Sequence, residues 1–171
     1  MNSSQNVQDL PQKMVVCVGA VVLRDLKVLF VRQTYGERLK GSWTLPWGLV
    51  RVKDSIGRPE APEDAAIREA LEEGGVVAEI EGLLGVQYRP SPKTGEPRLY
   101  LLFSCRHVSG EPKPDNLETD KVAYFSLEGL EDLGEPIDKF CEWLALRVLR
   151  GEHHVIPPEP KGPYCPQLAF L

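Results

Sequence analysis

The segment of 17 residues from Glu60 to Val76, EAPEDAAIREALEEGGV, constrains the fold most, because it carries both a start signal and a stop signal for a helix. Pro62 suits the first helical position, where its missing N–H is not needed, and the acids after it favour the positive end of the helix dipole. Gly74 and Gly75 can adopt the left-handed conformation that ends many helices. The segment therefore predicts one short helix between these two signals.

Three carboxylates fall on one face of this helix, because successive residues are rotated by about 100°. They belong to Glu69, Glu72 and Glu73. The opposite side is expected to point into a core and carries Ile67, Ala70 and Leu71. Like charges three and four residues apart repel each other, so they weaken the helix unless a cation binds there. Carboxylate oxygens suit a hard divalent cation such as Mg²⁺ or Mn²⁺. The alternative interpretation is a solvated helix face.

Apolar runs before and after the helix predict β-strands, because they are rich in valine, leucine and aromatic residues and are bounded by turn-forming residues. The strands are expected over Met14–Leu23, Lys27–Gln33, a short stretch within Ser42–Val50, Val76–Tyr88, Arg98–His107 and Val122–Leu127. A second helix is expected over Ile137–Leu149, where apolar residues recur at helical spacing. Interleaved strands and helices favour an α/β sandwich.

The length of 171 residues predicts a single folded domain. We expect residues 13–150 to form this domain, after a flexible polar N-terminus over residues 1–12. Residues 151–171 are expected to form a proline-rich tail, because proline removes backbone donors and fixes the backbone in extended conformations. Such a tail could lie on the domain surface or cross to a partner subunit, so a homodimer is left open.

The composition disfavours several classes of function. The longest apolar run, Met14–Leu23, has about half of the ~20 residues that a membrane-spanning helix needs, so no membrane association is expected. The formal net charge of −5 disfavours the coating of nucleic acid, which requires a basic surface. The first five residues lack the basic start and apolar run of a secretory signal. We therefore expect a cytoplasmic protein with a small-molecule partner.

The order of charged residues in the first helix resembles the signature of the Nudix hydrolases. That signature is G-x5-E-x7-R-E-U-x-E-E-x-G-U, where U is a bulky aliphatic residue. The spacing matches throughout Glu60–Val76, with Ala70 as a small aliphatic residue. Upstream the chain departs from the signature. The signature places a glycine six residues before its first glutamate, but this chain has Asp54 there, and Pro46–Trp47–Gly48 is the segment that resembles the family's usual P-G-G turn. A tryptophan thus replaces the first glycine of the turn, and the loop that follows is six residues longer.

The resemblance implies a Nudix-like α/β/α sandwich with a mixed β-sheet, and a metal-dependent pyrophosphohydrolase. The substrate would be a nucleoside diphosphate linked to another moiety, as in a nucleotide sugar, an ADP-ribose-like compound or a nucleoside polyphosphate. The products would be a nucleoside monophosphate and a phosphorylated moiety. Divalent cations would neutralise the diphosphate and activate the attacking water.

The resemblance also implies a role for each residue that matches the motif. Mg²⁺ or Mn²⁺ would be bound by Glu69, Glu72 and Glu73, with help from a backbone oxygen of Trp47 or Gly48. Arg68 would orient a glutamate of the helix through an ion pair, and Glu60 would support the site.

Further candidates lie outside the motif. Glu118 is the preferred additional acid, with Glu96 and Asp120 as rivals, and either Glu69 or Glu118 is a candidate general base. Arg51 lies in the longer loop, which we interpret either as a phosphate-contacting flap or as an ordinary surface loop. Candidates for base stacking are Tyr35, Trp43, Trp47, Tyr88 and Tyr100. Candidates for phosphate binding are Arg32, Arg38 and Arg89.

Two other functions stay open at this point. A sensor module would bind a nucleotide such as ADP-ribose without hydrolysing it; the intact glutamates argue against this reading, and the tryptophan in the turn argues for it. An enzyme that processes RNA 5′ ends would need a basic strip, which the net charge of −5 does not support. Pro90 follows Gly75 by 15 residues, a spacing similar to that of the ADP-ribose-hydrolysing subgroup.

Overall fold

The computed structural model describes residues 14–53, 57–91 and 93–158. The predicted N-terminal segment 1–12 and residues 159–171 of the predicted tail lie outside this part of the chain. The elements in chain order are β1 (Val15–Arg24), β2 (Lys27–Gln33), β3 (Trp43–Thr44), β4 (Trp47–Leu49), α1 (Pro62–Gly74), β5 (Val77–Pro90), β6 (Pro97–Ser109), β7 (Thr119–Phe125), α2 (Leu127–Glu131) and α3 (Lys139–Leu149).

The strands form one mixed sheet in the order β3-β2-β1-β6-β5, with β4 paired to β1 and β7 paired to β2. β1 and β6 run parallel, in a register that places Val15 beside Arg98. The other pairs are antiparallel. Residues 17–22 of β1 are all buried, as expected for a central strand that is covered on both faces.

Helices cover both faces of this sheet. On one face α1 packs through Ala65, Ala66 and Ala70 against alternate residues of β1 and β6. On the other face α3 packs through Leu144, Ala145 and Val148 against a second apolar cluster. The predicted α/β/α sandwich with a mixed sheet is therefore confirmed.

Two local predictions were wrong, and one was incomplete. The short strand expected within Ser42–Val50 is present as β3, but a further strand, β4, follows it after Pro46, which has no N–H to donate to a sheet. Leu127 belongs to α2, which Ser126 caps by accepting a hydrogen bond from the backbone of Gly129, so β7 ends earlier than predicted. Leu71 is 49% exposed rather than in the core. The small alanines of α1 lie against the sheet, and this orientation rotates Leu71 outwards.

The chain beyond α3 turns back onto β5, the last strand of the main sheet order. The backbone N–H of Leu83 donates to the carbonyl of Ile156, and that of Ile156 donates to the carbonyl of Leu83, both at 2.9 Å. The described start of the proline-rich tail thus lies along the sheet edge. None of the helices in the described ranges has the length and apolar character needed to cross a membrane.

Gly75 provides a test of how the end of α1 is fixed. Gly75 has φ +71°, and a Cβ built on it would lie 2.8 Å from the carbonyl oxygen of Lys113. Gly41 also has a positive φ, of +78°, but a Cβ there would meet nothing within 4 Å. We expect Gly41→Ala to lower the unfolding free energy by about 1 kcal/mol, and Gly75→Ala to lower it by clearly more, in urea unfolding. Equal losses would contradict a fixed contact with Lys113.

Candidate active site

The last turn of α1 is fixed to three strands through Glu73. Its carboxylate accepts hydrogen bonds from the backbone N–H of Trp47, at 3.0 Å, and from Nε2 of Gln33, at 3.3 Å. Its backbone carbonyl accepts from the hydroxyl of Thr119 at 2.9 Å. Because these donors come from β4, β2 and β7, the carboxylate of Glu73 has a defined position, with only 1% of the residue exposed.

Burial changes the protonation of two glutamates. Desolvation raises the pKa of Glu73 to about 8, and repulsion from Glu69 and Glu118 adds to this, against the hydrogen bonds from Trp47 and Gln33. Desolvation also raises the pKa of Glu69, although Arg68 acts in the opposite direction. Burial therefore disfavours the charged form of both Glu73 and Glu69.

Arg68 connects the helix to both segments that precede it. Its guanidinium donates to Glu60, at 2.7 Å, and to Glu69, at 2.6 Å. It also donates to Glu72, at 2.9 Å, and to the backbone carbonyl of Leu49, at 3.0 Å. Four acceptors around one guanidinium place the ends of β4 and of the long loop against the acidic face of α1.

Gly48 lies against the carboxylate of Glu69 so closely that any side chain would overlap it. A Cβ built on Gly48 has the carboxyl carbon and both carboxylate oxygens of Glu69 as its nearest neighbours, all within contact distance. The sequence interpretation gave Gly48 only a backbone oxygen as its contribution. The structure adds a steric reason for glycine at this position, because the peptide approaches the carboxylate directly.

Arg51 brings the long loop onto the same face. Its backbone N–H donates to Glu60 at 2.6 Å, and its guanidinium lies 3.1 and 3.2 Å from the two carboxylate oxygens of Glu72. The side chains of Arg51 and Glu72 are both about half exposed, at 49% and 47%. This ion pair is therefore open to solvent and easily exchanged.

The donor set of this site fits a hard divalent cation in its chemistry. In the described part of the chain, no three His, Cys, Asp or Glu side chains already converge at metal-binding positions. Glu69 and Glu72 are instead in contact with guanidinium groups. The carboxylates of Glu69 and Glu73 are buried and repel each other, and that of Glu72 lies beside them at the surface. Together they offer only oxygen ligands, a set that a divalent cation would stabilise. Glu69, Glu72 and Glu73 are thus the residues that could hold such a cation.

Of the three loop acids considered from the sequence, the structure brings Glu118 to the glutamates of α1. Its charge contributes to the raised pKa values of both Glu69 and Glu73. Asp120 instead receives two hydrogen bonds from Arg32, at 2.7 and 2.8 Å. Glu96 lies 3.8 Å from Arg98. Glu118 is therefore the acid best placed to act with the helix.

Two predicted substrate-binding residues are engaged elsewhere. Trp43 is only 3% exposed, stacks edge-on against Phe125 and donates its indole N–H to Glu135 at 3.1 Å. Its ring is part of the core and is not available to stack on a base. Arg32 binds both Asp120 and Glu135, so its guanidinium is taken up by protein carboxylates. We correct both assignments on this ground.

Arg89, by contrast, lies in a cleft. Its guanidinium lies 5.0 Å from the ring centroid of Tyr100, and its Nη2 donates to the Tyr100 hydroxyl at 3.3 Å. Trp47 and Arg38 line the same cleft. Tyr35 lies near the acidic cluster, since Glu73, Glu118 and Glu69 add to the desolvation that raises its pKa to about 12.

Sequence reasoning missed Gln33 and Thr44. Gln33 is 1% exposed, and its side-chain amide donates to Thr44 at 3.0 Å as well as to Glu73. Both residues were counted only as parts of strands. A signal was available in the sequence, since the polar Gln33 ends the apolar run of β2. A side-chain amide that is buried at the end of a strand requires polar partners.

Comparisons with known proteins agree with this arrangement. An ADP-ribose pyrophosphatase of Methanocaldococcus jannaschii is 26% identical over 127 residues, covering 74% of this chain and 70% of that protein. A MutT-like protein of Streptomyces ambofaciens is 27% identical over 149 residues, covering 87% of this chain and 83% of its own. The solved structure of a NUDIX hydrolase from Nitrosomonas europaea has a TM-score of 0.64 at 24% identity, covering 84% of this chain and 94% of that one. At this identity the last comparison shows a common fold.

The family model described as the NUDIX domain matches residues 13–144, well over half of the 171 residues. The matched region includes the whole of α1 and the turn at Trp47. It confirms the resemblance that the spacing between Glu60 and Val76 suggested, and with it the enzyme class. The chain belongs to the Nudix family of hydrolases.

Proposed function

We propose that the protein is a divalent-cation-dependent pyrophosphohydrolase that cleaves a nucleoside diphosphate linked to another moiety. The observation that carries this proposal is the acidic face of α1, where Glu73 is buried on Gln33 and where Arg68 binds Glu69 and Glu72 together with Glu60 from the preceding loop. The name of the relative from Methanocaldococcus jannaschii supports an ADP-ribose-like substrate. The products would be a nucleoside monophosphate and a phosphorylated second moiety.

Mg²⁺ or Mn²⁺ would be held by Glu69, Glu72 and Glu73, with a backbone oxygen of Trp47 or Gly48. When bound, the cation supplies charge neutralisation of the diphosphate and activation of the attacking water. Carboxylates alone would repel such a substrate, so cation and substrate are expected to bind in a linked manner.

Arg68 is a positioning residue in this proposal. Its hydrogen bonds hold Glu69 and Glu72 in place, and its bond to Leu49 fixes the turn beside them. Glu60 supports Arg68 from the other side, with an oxygen also bound to the backbone of Arg51. Arg51, whose ion pair with Glu72 is open to solvent, would be available to contact a substrate phosphate.

Glu118 is the candidate general base that the surroundings favour. Glu69 is packed against Gly48 and bound to Arg68, so its carboxylate is held in place and is less free to reach the attacking water. Glu118 is exposed and lies close enough to influence both buried glutamates. It would accept the proton while the water oxygen bonds to phosphorus, the anhydride P–O bond breaks and its electron pair leaves with the departing phosphate.

The cytoplasmic location and the homodimer stay predictions.

A substrate panel tests the proposed activity. Product release would be measured from ADP-ribose, nucleotide sugars, dinucleoside polyphosphates, NADH and nucleoside triphosphates, each with Mg²⁺, Mn²⁺ or EDTA. We expect cation-dependent release of a nucleoside monophosphate, lowered by about 10²-fold or more in Glu73→Gln, because the neutral amide removes a charged ligand.

Asp64→Asn is the matched control, since Asp64 is an exposed acid in the first turn of the same helix. Its turnover should equal that of the unchanged protein. Unchanged turnover in Glu73→Gln would refute the site assignment. Tight nucleotide binding without turnover of any compound would favour the sensor module instead.

Gly48→Ala tests the close approach of the turn to Glu69. The added methyl group must displace the Glu69 carboxylate, and a displacement of about 1 Å at a catalytic group can cost about 10²-fold in rate. Gly85→Ala is the control, because a Cβ at Gly85 meets nothing within 4 Å. We expect kcat to fall only in Gly48→Ala, with thermal unfolding checked for both variants. Full activity in Gly48→Ala would show that Glu69 is not needed in its observed position.

The raised pKa of Glu73 predicts how stability depends on pH in EDTA. The folded protein holds a proton on Glu73 up to about pH 8, whereas the unfolded chain loses it near the ordinary value of 4.5. The stabilising contribution is thus complete below pH 4.5 and is lost as the pH rises through 8, by on the order of a few kcal/mol. Urea unfolding between pH 5 and 9, compared with Glu73→Gln, would measure it. An identical pH dependence in the variant would contradict the buried, protonated carboxyl.

A further inference from the structure

Glu118 lies in a turn over residues 115–119, which leads into β7 and contacts the end of α1. Thr119, the first residue of β7, donates its hydroxyl to the backbone carbonyl of Glu73 at 2.9 Å. The carboxylate of Glu118 makes no hydrogen bond or ion pair with another residue of the described ranges. Its location relative to the acidic face of α1 therefore depends on the backbone of this turn.

Asp115 binds the N–H groups of the turn. Its Oδ1 accepts from the backbone of Leu117 and Glu118, both at 3.0 Å, and from that of Thr119 at 2.8 Å. Hydrogen bonds to an ionised acceptor are stronger than those between neutral groups. Desolvation acts to raise the pKa of Asp115, but these donors outweigh it and lower the pKa below its ordinary value. The charged carboxylate is thus the form that holds the turn.

Thr34 binds the carbonyl groups of the same turn. Its backbone N–H donates to the carbonyl of Glu118 at 2.9 Å, and its hydroxyl donates to the carbonyl of Leu117 at 2.6 Å. Thr34 directly follows Gln33, whose side-chain amide donates to Glu73. The end of β2 thus connects the turn to the buried glutamate, and both backbone polar groups of Glu118 are bound.

We propose that Asp115 and Thr34 are positioning residues for hydrolysis, which act only by locating the carboxylate of Glu118. The inference rests on the proposed function, because it takes Glu118 as the general base. A general base must lie within hydrogen-bonding distance of the proton that it accepts. A displacement of about 1 Å at a catalytic group can cost about 10²-fold in rate. Loss of either positioning side chain should therefore lower kcat and leave substrate binding unchanged.

A double-mutant cycle between Asp115 and Glu118 tests the proposal. Rates would be measured with Mg²⁺ for the unchanged chain, Asp115→Ala, Glu118→Gln and the double variant, on ADP-ribose or whichever compound of the substrate panel is cleaved faster. We expect Asp115→Ala to lower kcat about tenfold or more, with KM and the Mg²⁺ requirement within about threefold. When Glu118→Gln is already present, Asp115→Ala should cost less than about twofold.

Three results would overturn the positioning role. Losses that multiply in the double variant would show that Asp115 acts independently of Glu118. Full kcat in Glu118→Gln would remove the base on which the role depends. A clearly raised Mg²⁺ requirement in Asp115→Ala would show that this carboxylate acts on the cation instead.

Thr34 offers an independent pair of variants in case Asp115→Ala folds poorly. Thr34→Val removes the hydroxyl that binds the carbonyl of Leu117, whereas Thr34→Ser retains it. We expect kcat to fall about threefold or more in Thr34→Val and to stay within about twofold in Thr34→Ser. Equal losses in the two variants would contradict a role for the hydroxyl bond.

Glu111→Gln is the control for the loss of one negative charge between β6 and β7. The side chain of Glu111 is 88% exposed and lies 3.8 Å from Arg24, away from the turn. Its kcat and KM should equal those of the unchanged chain, and thermal unfolding would be compared for every variant.

Amide hydrogen exchange tests the geometry of the turn without turnover. We expect the N–H groups of Leu117, Glu118 and Thr119 to exchange about tenfold faster or more in Asp115→Ala, while the hydrogen-bonded amides of β2 keep their rates. Asp115→Asn, which retains one acceptor oxygen, should give a smaller increase. Unchanged exchange in Asp115→Ala would show that the carboxylate does not hold the turn, and would overturn the proposal.

This proposal and the proposed function fail in distinguishable ways. Cleavage that is lost in Glu73→Gln, but to which Glu118 and Asp115 contribute independently, would retain the hydrolase and reject the positioning role. A protein that cleaves no compound of the panel would reject the hydrolase. The positioning role would then fall with it, even if amide exchange confirmed the contacts of the turn.

Discussion

The burial of carboxylates at the end of α1 is the constraint on which the surrounding structure depends. Glu73 is 1% exposed and Glu69 is 7% exposed, positions where an unpaired charge would cost several kcal/mol. The compensating groups are the guanidinium of Arg68, the backbone N–H of Trp47 and the amide of Gln33. Because these groups belong to α1, β4 and β2, the acidic cluster is stabilised only when the helix and both strands are in register.

The parts of the fold that the sequence predicted are those with local causes. Helix α1 has its start at Pro62 and its end at Gly74, as the two signals indicated, because caps and periodicity act within a few residues. The five-residue α2 is too short for a periodic pattern. Leu71 was assigned to the buried side of α1, although the sheet packs against the small residues Ala65, Ala66 and Ala70. The helical pattern alone does not show that the space between α1 and the sheet admits only small side chains.

The site was predictable in its charged residues and not in the neutral groups around them. The spacing of Arg68 with its glutamates is a property of one helix, so the family signature captures it. Gln33 meets Glu73 from 40 residues away in the chain, and no local pattern encodes that contact. Trp43 was wrongly assigned to substrate binding, although its ring is buried in the core. An aromatic residue at an alternating strand position gives the same sequence pattern whether that face of the strand is buried or exposed. Trp47 stands where the family has glycine, and it holds Glu73 through its backbone N–H, which any residue at this position would supply.

The pairing of Ile156 with Leu83 has a consequence for the behaviour of the protein in concentrated solution. A strand at the end of a sheet presents unsatisfied backbone groups to which strands of other molecules can add. Here the chain returns after its last helix and occupies part of that edge with its own backbone. Gly82 allows the close approach, since a Cβ there would overlap the Ile156 backbone. The short segment after α3 thus covers part of the β5 edge, to which strands of other molecules could otherwise add, and in this way it contributes to colloidal stability.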